Sequence, residues 1–114
     1  MNKIMLIGTV GNDPKLITIK KSKKFAQFAL GVTEEREDKS GARVNSTSWF
    51  SILGWEQHAA KIVACLKKGD HVFVEGRLVI SEYSNETGTR LKQVDVVITD
   101  FKLLTQENEM GKQI

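Results

Sequence analysis

Three large rings in this 114-residue chain fall where a hydrophobic core does not call for them. Over residues 47–54 the side chains alternate. Phe50, Ile52 and Gly54 share one face, and Thr47, Trp49, Ser51 and Leu53 share the other. Trp49 thus stands with two hydroxyl groups on the wetter side of a strand. Trp55 follows at the strand's exit and extends that side. Tyr83 lies among Ser81, Glu82, Ser84 and Asn85, where little could bury it. An exposed ring offers its face to any flat π-system, and every nucleobase is one. Such stacking contributes ~1–3 kcal/mol per base and tolerates any sequence. Phosphates on the same track need positive charge. Arg77 shares the face of Tyr83, Arg90 and Lys92 open the strand after it, and Lys3 approaches from the first strand. Residues 15–24, KLITIKKSKK, hold five lysines and no acid. That makes Lys20, Lys21, Lys23 and Lys24 supplementary phosphate candidates, against the plainer reading of a solvated hairpin. Phe73, on the face of Arg77, is a further candidate ring.

Other chemistry finds little support. His58, Cys65 and His71 are the candidate soft ligands, and no second cysteine gives zinc-type spacing. Cys65 borders an apolar stripe and reads as a small buried filler. No nucleophile elbow, phosphate-binding loop or dinucleotide fingerprint occurs. The expectation is therefore no enzyme activity, no metal and no cofactor. One cysteine forms no internal disulfide, which fits a reducing compartment. No apolar run approaches the ~20 residues of a membrane helix. The opening MNKIMLIGTVGNDPK lacks a cleavage site and reads as a first strand rather than a signal peptide. The net charge is +3. The last ten residues hold two acids and one Lys, so the body of the chain, 1–104, carries +4. The expected organisation is one domain over 1–104 and a short tail over 105–114.

These residues need elements to hold them. Lys3 to Val10 reads as a first strand, stopped by Gly11-Asn12-Asp13-Pro14, with Leu16–Ile19 continuing it. Phe25 to Thr33 is a second, with Ala26, Phe28, Leu30 and Val32 on its apolar face. Glu34 to Ser46 is polar and reads as a mobile loop, and Thr47 to Gly54 is the third strand. Ala59, Ile62, Val63 and Leu66 then fall at helical spacing, and Gly69 suits a left-handed stop. His71 to Ile80 is a fourth strand with Val72, Val74, Gly76, Leu78 and Ile80 on one face. Glu82 to Thr89 is a hairpin tip, and Arg90 to Leu104 the last strand. Five short strands hide their edges by closing. The expected fold is all-β: a five-stranded OB-fold barrel with one α-helix between the third and fourth strands. An SH3-like barrel and a small α+β sandwich are the alternatives.

Several segments, in order, resemble the bacterial single-stranded DNA-binding proteins that serve replication. They are Asn2–Gly8 with Gly11–Pro14, Thr47–Phe50, and Leu66–Asp70 with Val72–Leu78. The resemblance runs from Asn2 to Leu104. It implies an OB fold, a homotetramer (a dimer being the alternative), a cytoplasmic, nucleoid-associated protein, and sequence-independent protection of single-stranded DNA in replication, recombination and repair. It implies that Trp49, Trp55 and Tyr83 stack bases. Arg36 stands where such proteins carry a fourth ring, crowded by four acids. The chain ends QENEMGKQI, without the Gly/Gln/Pro-rich linker and acidic tip of the family, so reduced recruitment of repair and replication enzymes is expected. The competing readings are an interaction subunit of a replication or primosome complex with weak DNA binding, and an RNA-binding OB module.

Overall fold

Alternation of apolar and polar side chains becomes six strands and a helix in the computed structural model, which describes residues 1–20 and 23–104. The elements are β1 (Ile4–Val10), β2 (Lys15–Ile19), β3 (Lys23–Glu37), β4 (Arg43–Trp55), α1 (Gln57–Cys65), β5 (His71–Ser84) and β6 (Arg90–Leu103). β1 pairs antiparallel with β5, β5 with β6, and β3 with β4. β6 runs parallel to β4 through Ser51↔Asp95, Ile52↔Val96 and Leu53↔Val97. β3 then returns to β1 at Thr9↔Gly31 and Val10↔Leu30, and the sheet closes. β2 follows β1 along the same edge of β3. The barrel therefore has five strand positions, as the sequence predicts. With β2 counted separately, the helix falls between β4 and β5.

The inner face holds Ala26, Phe28, Leu30, Ile52, Val72, Val74, Val96 and Ile98, all buried. α1 closes one end by burying Ala59 and Ile62 against this core. Closure demands a close backbone approach at Gly8, where a methyl group would collide with the carbonyl oxygen of Gly31.

Four expectations are corrected. Residues 34–46 are no loop. β3 and β4 stay paired out to Glu37↔Arg43, forming an arm beyond the barrel. A ladder needs backbone partners and not an apolar face, so hydropathy alone gives it no signal. The Thr33 and Thr47 hydroxyls bond at 2.8 Å across it, and Arg43 pairs with Glu35. At its tip the Asp38 carboxylate accepts from the Ser40 amide, the Ser40 hydroxyl and the Ala42 amide. These bonds, led by the Ser40 hydroxyl, hold the carboxyl below its ordinary value. A second arm carries β5 and β6 out to Ser84↔Arg90. There Leu78 and Ile80 are exposed, although they continue the face of Val72 and Val74, because β5 has already left the barrel. Gly69 has the expected positive φ of 95°, but it serves a turn four residues past the helix rather than its immediate stop. Cys65 is exposed, because the buried stripe of α1 is two residues wide and Val63, too, faces solvent.

Candidate nucleic-acid interface

Registers decide which of the predicted residues meet. Opposite each other on β3 and β4 stand Gly31 and Trp49, Ala29 and Ser51, Gln27 and Leu53, and Phe25 and Trp55. β2 adds Lys15 opposite Gln27. On the other side β6 sets Asp95 beside Ser51 and Val97 beside Leu53, and β5 sets Arg77 opposite Val97. Directly paired residues point to the same side of a sheet. A row Lys15–Gln27–Leu53–Val97–Arg77 therefore crosses the outer surface, with Trp49 and Trp55 on either side of it along β4. β6 continues that outer face through Gln93 and Leu91 to Ser81 and Tyr83 on the β5–β6 arm. The wet face of Trp49 and that of Tyr83, separate in the sequence, are one surface.

Trp49 is 63% exposed. Its indole lies over two glycines: a methyl group on Gly11 would stand 2.6 Å from Cζ3, and one on Gly31 would stand 2.9 Å from Cζ3 and Cη2. The Gly11–Pro14 turn builds this floor. The Gly11 amide donates to the Ala29 carbonyl at 2.8 Å, and Asn12 Oδ1 accepts from the Ala29 amide at 2.8 Å. Asp13 Oδ1 accepts from the Lys68 amide at 2.9 Å and ties the turn to the segment after the helix. Beside the ring lies an open groove of about 400 Å³, with Asn12, Lys15, Gln27, Ala29 and Ser51 among its walls.

Trp55 is half-buried. Phe25 packs on it at 4.9 Å between centroids, and Lys23 Nζ sits 5.1 Å from its ring centroid. The structure thereby brings one lysine of the basic hairpin to a ring, by a cation–π contact. Lys24 alternates to the opposite side of β3, and Lys20 follows β2 in a turn, with a φ of 35°. Lys21 lies outside the described residues. Tyr83 is 51% exposed.

Three other candidates turn away from this face. Arg90 and Lys92 pair opposite Ser84 and Glu82, so they occupy the reverse of the arm from Tyr83. Arg90 also forms an ion pair with Glu82 at 3.3 Å. Arg36, opposite Val44, likewise points away from the Trp49 side. Lys3 precedes β1 on the side of Arg77, since the β1–β5 register continues from Ile4↔Gly76, and it is held there by an ion pair with Glu75 at 2.8 Å. Phe73 sits between Ile7 and Lys102 on the β1–β5 side of the barrel, next to exposed Met5 and Ile7. Gly11, Gly31, Gln27 and Ser51 were absent from the sequence candidates, and Lys15 was present only as part of the basic segment 15–24. It is the β3–β4 register, in which opposed residue numbers sum to 80, that sets Gly31 under Trp49.

A closed five-stranded barrel with a helix at one end, rings on its outer face and cations between them is an OB-fold nucleic-acid-binding module. The single-strand binding protein family model matches residues 1–104. Over 112 residues the chain is 34% identical to single-stranded DNA-binding protein 1 of Chlorobaculum tepidum, covering 97% of this chain and 69% of that one. It is 31% identical over 109 residues to the single-stranded DNA-binding protein of Neisseria meningitidis, covering 96% and 63%. The structure resembles that of the Plasmodium falciparum SSB complex with ssDNA, with a TM-score of 0.83, 27% identity and coverage of 92% and 96%. The same fold appears in a Thermus aquaticus single-stranded DNA-binding protein, with a TM-score of 0.79 at 22% identity over 92% of this chain and 51% of that one. The chain belongs to the single-strand binding protein family, a family of non-enzymatic DNA-binding proteins. No helix among the described residues is long and apolar enough to cross a membrane.

Proposed function

We propose that this chain binds and protects single-stranded DNA without reading a defined sequence, in the cytoplasm and during replication, recombination and repair. Bases stack on Trp49, Trp55 and Tyr83. Lys15, Lys23 and Arg77, which share their face, neutralise phosphates. Counterions released from the strand then drive affinity, and log K falls with log salt by about 0.7 for each phosphate contacted. The observation that carries this reading is Trp49: a large ring, 63% exposed, seated against Gly11 and Gly31 at the lip of a groove with Lys15 in its wall. Lys3 and Arg90 contribute less, because Glu75 and Glu82 already hold them.

The working unit is a homo-oligomer, a tetramer by the likeness the sequence carries. Two observations support assembly. Among the described pairings, β1 meets β3 at Thr9 and Val10 alone, which leaves one edge of Ile4–Gly8 open for another strand. Met5 at 61% and Ile7 at 54% exposure sit on the face beside it. Sedimentation equilibrium tests this, and a monomer at micromolar concentration overturns it.

Trp49→Ala tests the stacking. Loss of one stack predicts weaker oligo-dT binding by ~1–3 kcal/mol, with the barrel intact because the ring lies outside the core. Unchanged affinity rejects Trp49 as a stacking residue.

A further inference from the structure

A lone exposed ring would be an indifferent platform. Trp49 is not alone: it borders a groove whose volume, about 400 Å³, lies at the small end of the ~300–1,000 Å³ range of ligand sites. We infer that this groove is a one-nucleotide subsite, in which Gln27 and Ser51 hydrogen-bond the edge of the base stacked on Trp49 and Lys15 holds the adjoining phosphate. The inference rests on the stacking reading and adds base-edge recognition to it.

The polar groups are arranged for this. Gln27 Nε2 donates to Ser51 Oγ at 3.1 Å, and both residues are half-buried. That bond fixes the plane of the carboxamide. It uses one of two amide protons, so the carbonyl and the second proton remain as an acceptor and a donor side by side. Ser51 accepts from Gln27 and keeps its own hydroxyl proton to donate. Single strands leave the pairing edges of their bases open, and an amide matches an adjacent donor and acceptor on such an edge. Asn12 is more committed: its Oδ1 takes the Ala29 amide and one Nδ2 proton goes to the Asp13 carbonyl at 3.0 Å, which fixes it as a wall of the groove. Lys15 stands opposite Gln27, exposed, and among the described residues it makes no ion pair.

Stacking and phosphate contacts are common to all bases, whereas an amide on a base edge is not. The full-length chain should therefore rank oligo-dA, oligo-dC and oligo-dT differently, and the ranking should depend on Gln27. The test measures Kd for these three and for an abasic oligomer, on the parent, Gln27→Leu, Ser51→Ala and Lys15→Ala. Gln27→Leu keeps the bulk of the side chain. It should weaken the best-bound homopolymer by at least about fivefold, compress the ranking, and leave the abasic oligomer unchanged. Ser51→Ala should move the ranking the same way, by less. Lys15→Ala should weaken all four oligomers alike and reduce the salt slope by about 0.7. Equal losses on all four oligomers for Gln27→Leu, or none on any, overturn the base-edge contact. A Lys15→Ala salt slope equal to the parent's overturns the phosphate contact. A parent that binds none of the oligomers sinks the stacking reading itself, and is thereby distinguished from failure of the subsite.

Discussion

Gly31→Ala separates the fold from the site more cleanly than removal of a ring does. Gly31 sits in β3, and its φ lies outside the left-handed region, so alanine fits the backbone there. Its methyl group would stand 2.9 Å from two carbons of the Trp49 indole, whereas ordinary contact begins near 3.4 Å. The indole must withdraw by about half an ångström, and it can, being the exposed end of a side chain. A displacement of that size forfeits about a quarter to a half of a dispersion contact. Applied to a stack of ~1–3 kcal/mol, this gives roughly 0.3–1.5 kcal/mol, or about a two- to thirteen-fold weaker Kd for oligo-dT. Stability should move the other way or hardly at all, since alanine restricts the unfolded chain by ~0.4–1 kcal/mol relative to glycine. Fluorescence anisotropy with labelled oligo-dT gives the affinity, and a thermal melt gives the stability. Unchanged affinity with unchanged indole emission refutes the glycine floor. A fall in Tm that tracks the fall in affinity shows that the methyl group damages the fold instead.

Gly8→Ala should do the reverse. Its methyl group meets the Gly31 carbonyl, which belongs to the backbone and cannot swing aside. The closure of β1 on β3 is strained by ~1–3 kcal/mol, read as a lower denaturation midpoint, and equal midpoints for variant and parent would count against a closed barrel. The Asp38 turn gives a pH dependence. Its carboxyl is held below the ordinary value by the Ser40 and Ala42 bonds. Its contribution to the order of the β3–β4 arm is therefore fully present above the unfolded value of about 3.9 and is lost as pH falls through the lower folded value. Protection of the Ser40 and Ala42 amides, taken relative to their intrinsic exchange rates, should fall over that acid window and stay level above about pH 5, and Asp38→Asn should abolish the dependence.

The barrel was legible because burial writes itself with a period of two. Ala26, Phe28 and Leu30, then Val72 and Val74, then Val96 and Ile98 alternate in the sequence and are buried in the structure. Where burial stops, so does the signal. Both faces of the β3–β4 arm are wet, so hydropathy could not tell a long ribbon from a loop. Trp49 and Tyr83 were visible as misplaced rings, but their common surface depends on β6 lying between β4 and β5, a pairing of segments remote in sequence. Lys92 and Arg90 show the same dependence. Composition set them near Tyr83, while the register Tyr83↔Leu91 turned them to the reverse side. Lys23 was one basic residue among several until the hairpin register laid it over Trp55. The glycine floor was least visible of all, since a residue without a side chain announces nothing until something is found lying on it.

Intrinsic tryptophan fluorescence, titrated with oligo-dT over a series of salt concentrations, tests the central claim most directly. Both tryptophans, Trp49 and Trp55, lie on the proposed DNA face. The account predicts strong saturable quenching, with log K falling linearly against log salt at about 0.7 per phosphate contacted, and with much of the quenching removed by Trp49→Ala. Absence of quenching at moderate salt, or quenching that Trp49→Ala and Trp55→Ala leave untouched, would contradict it.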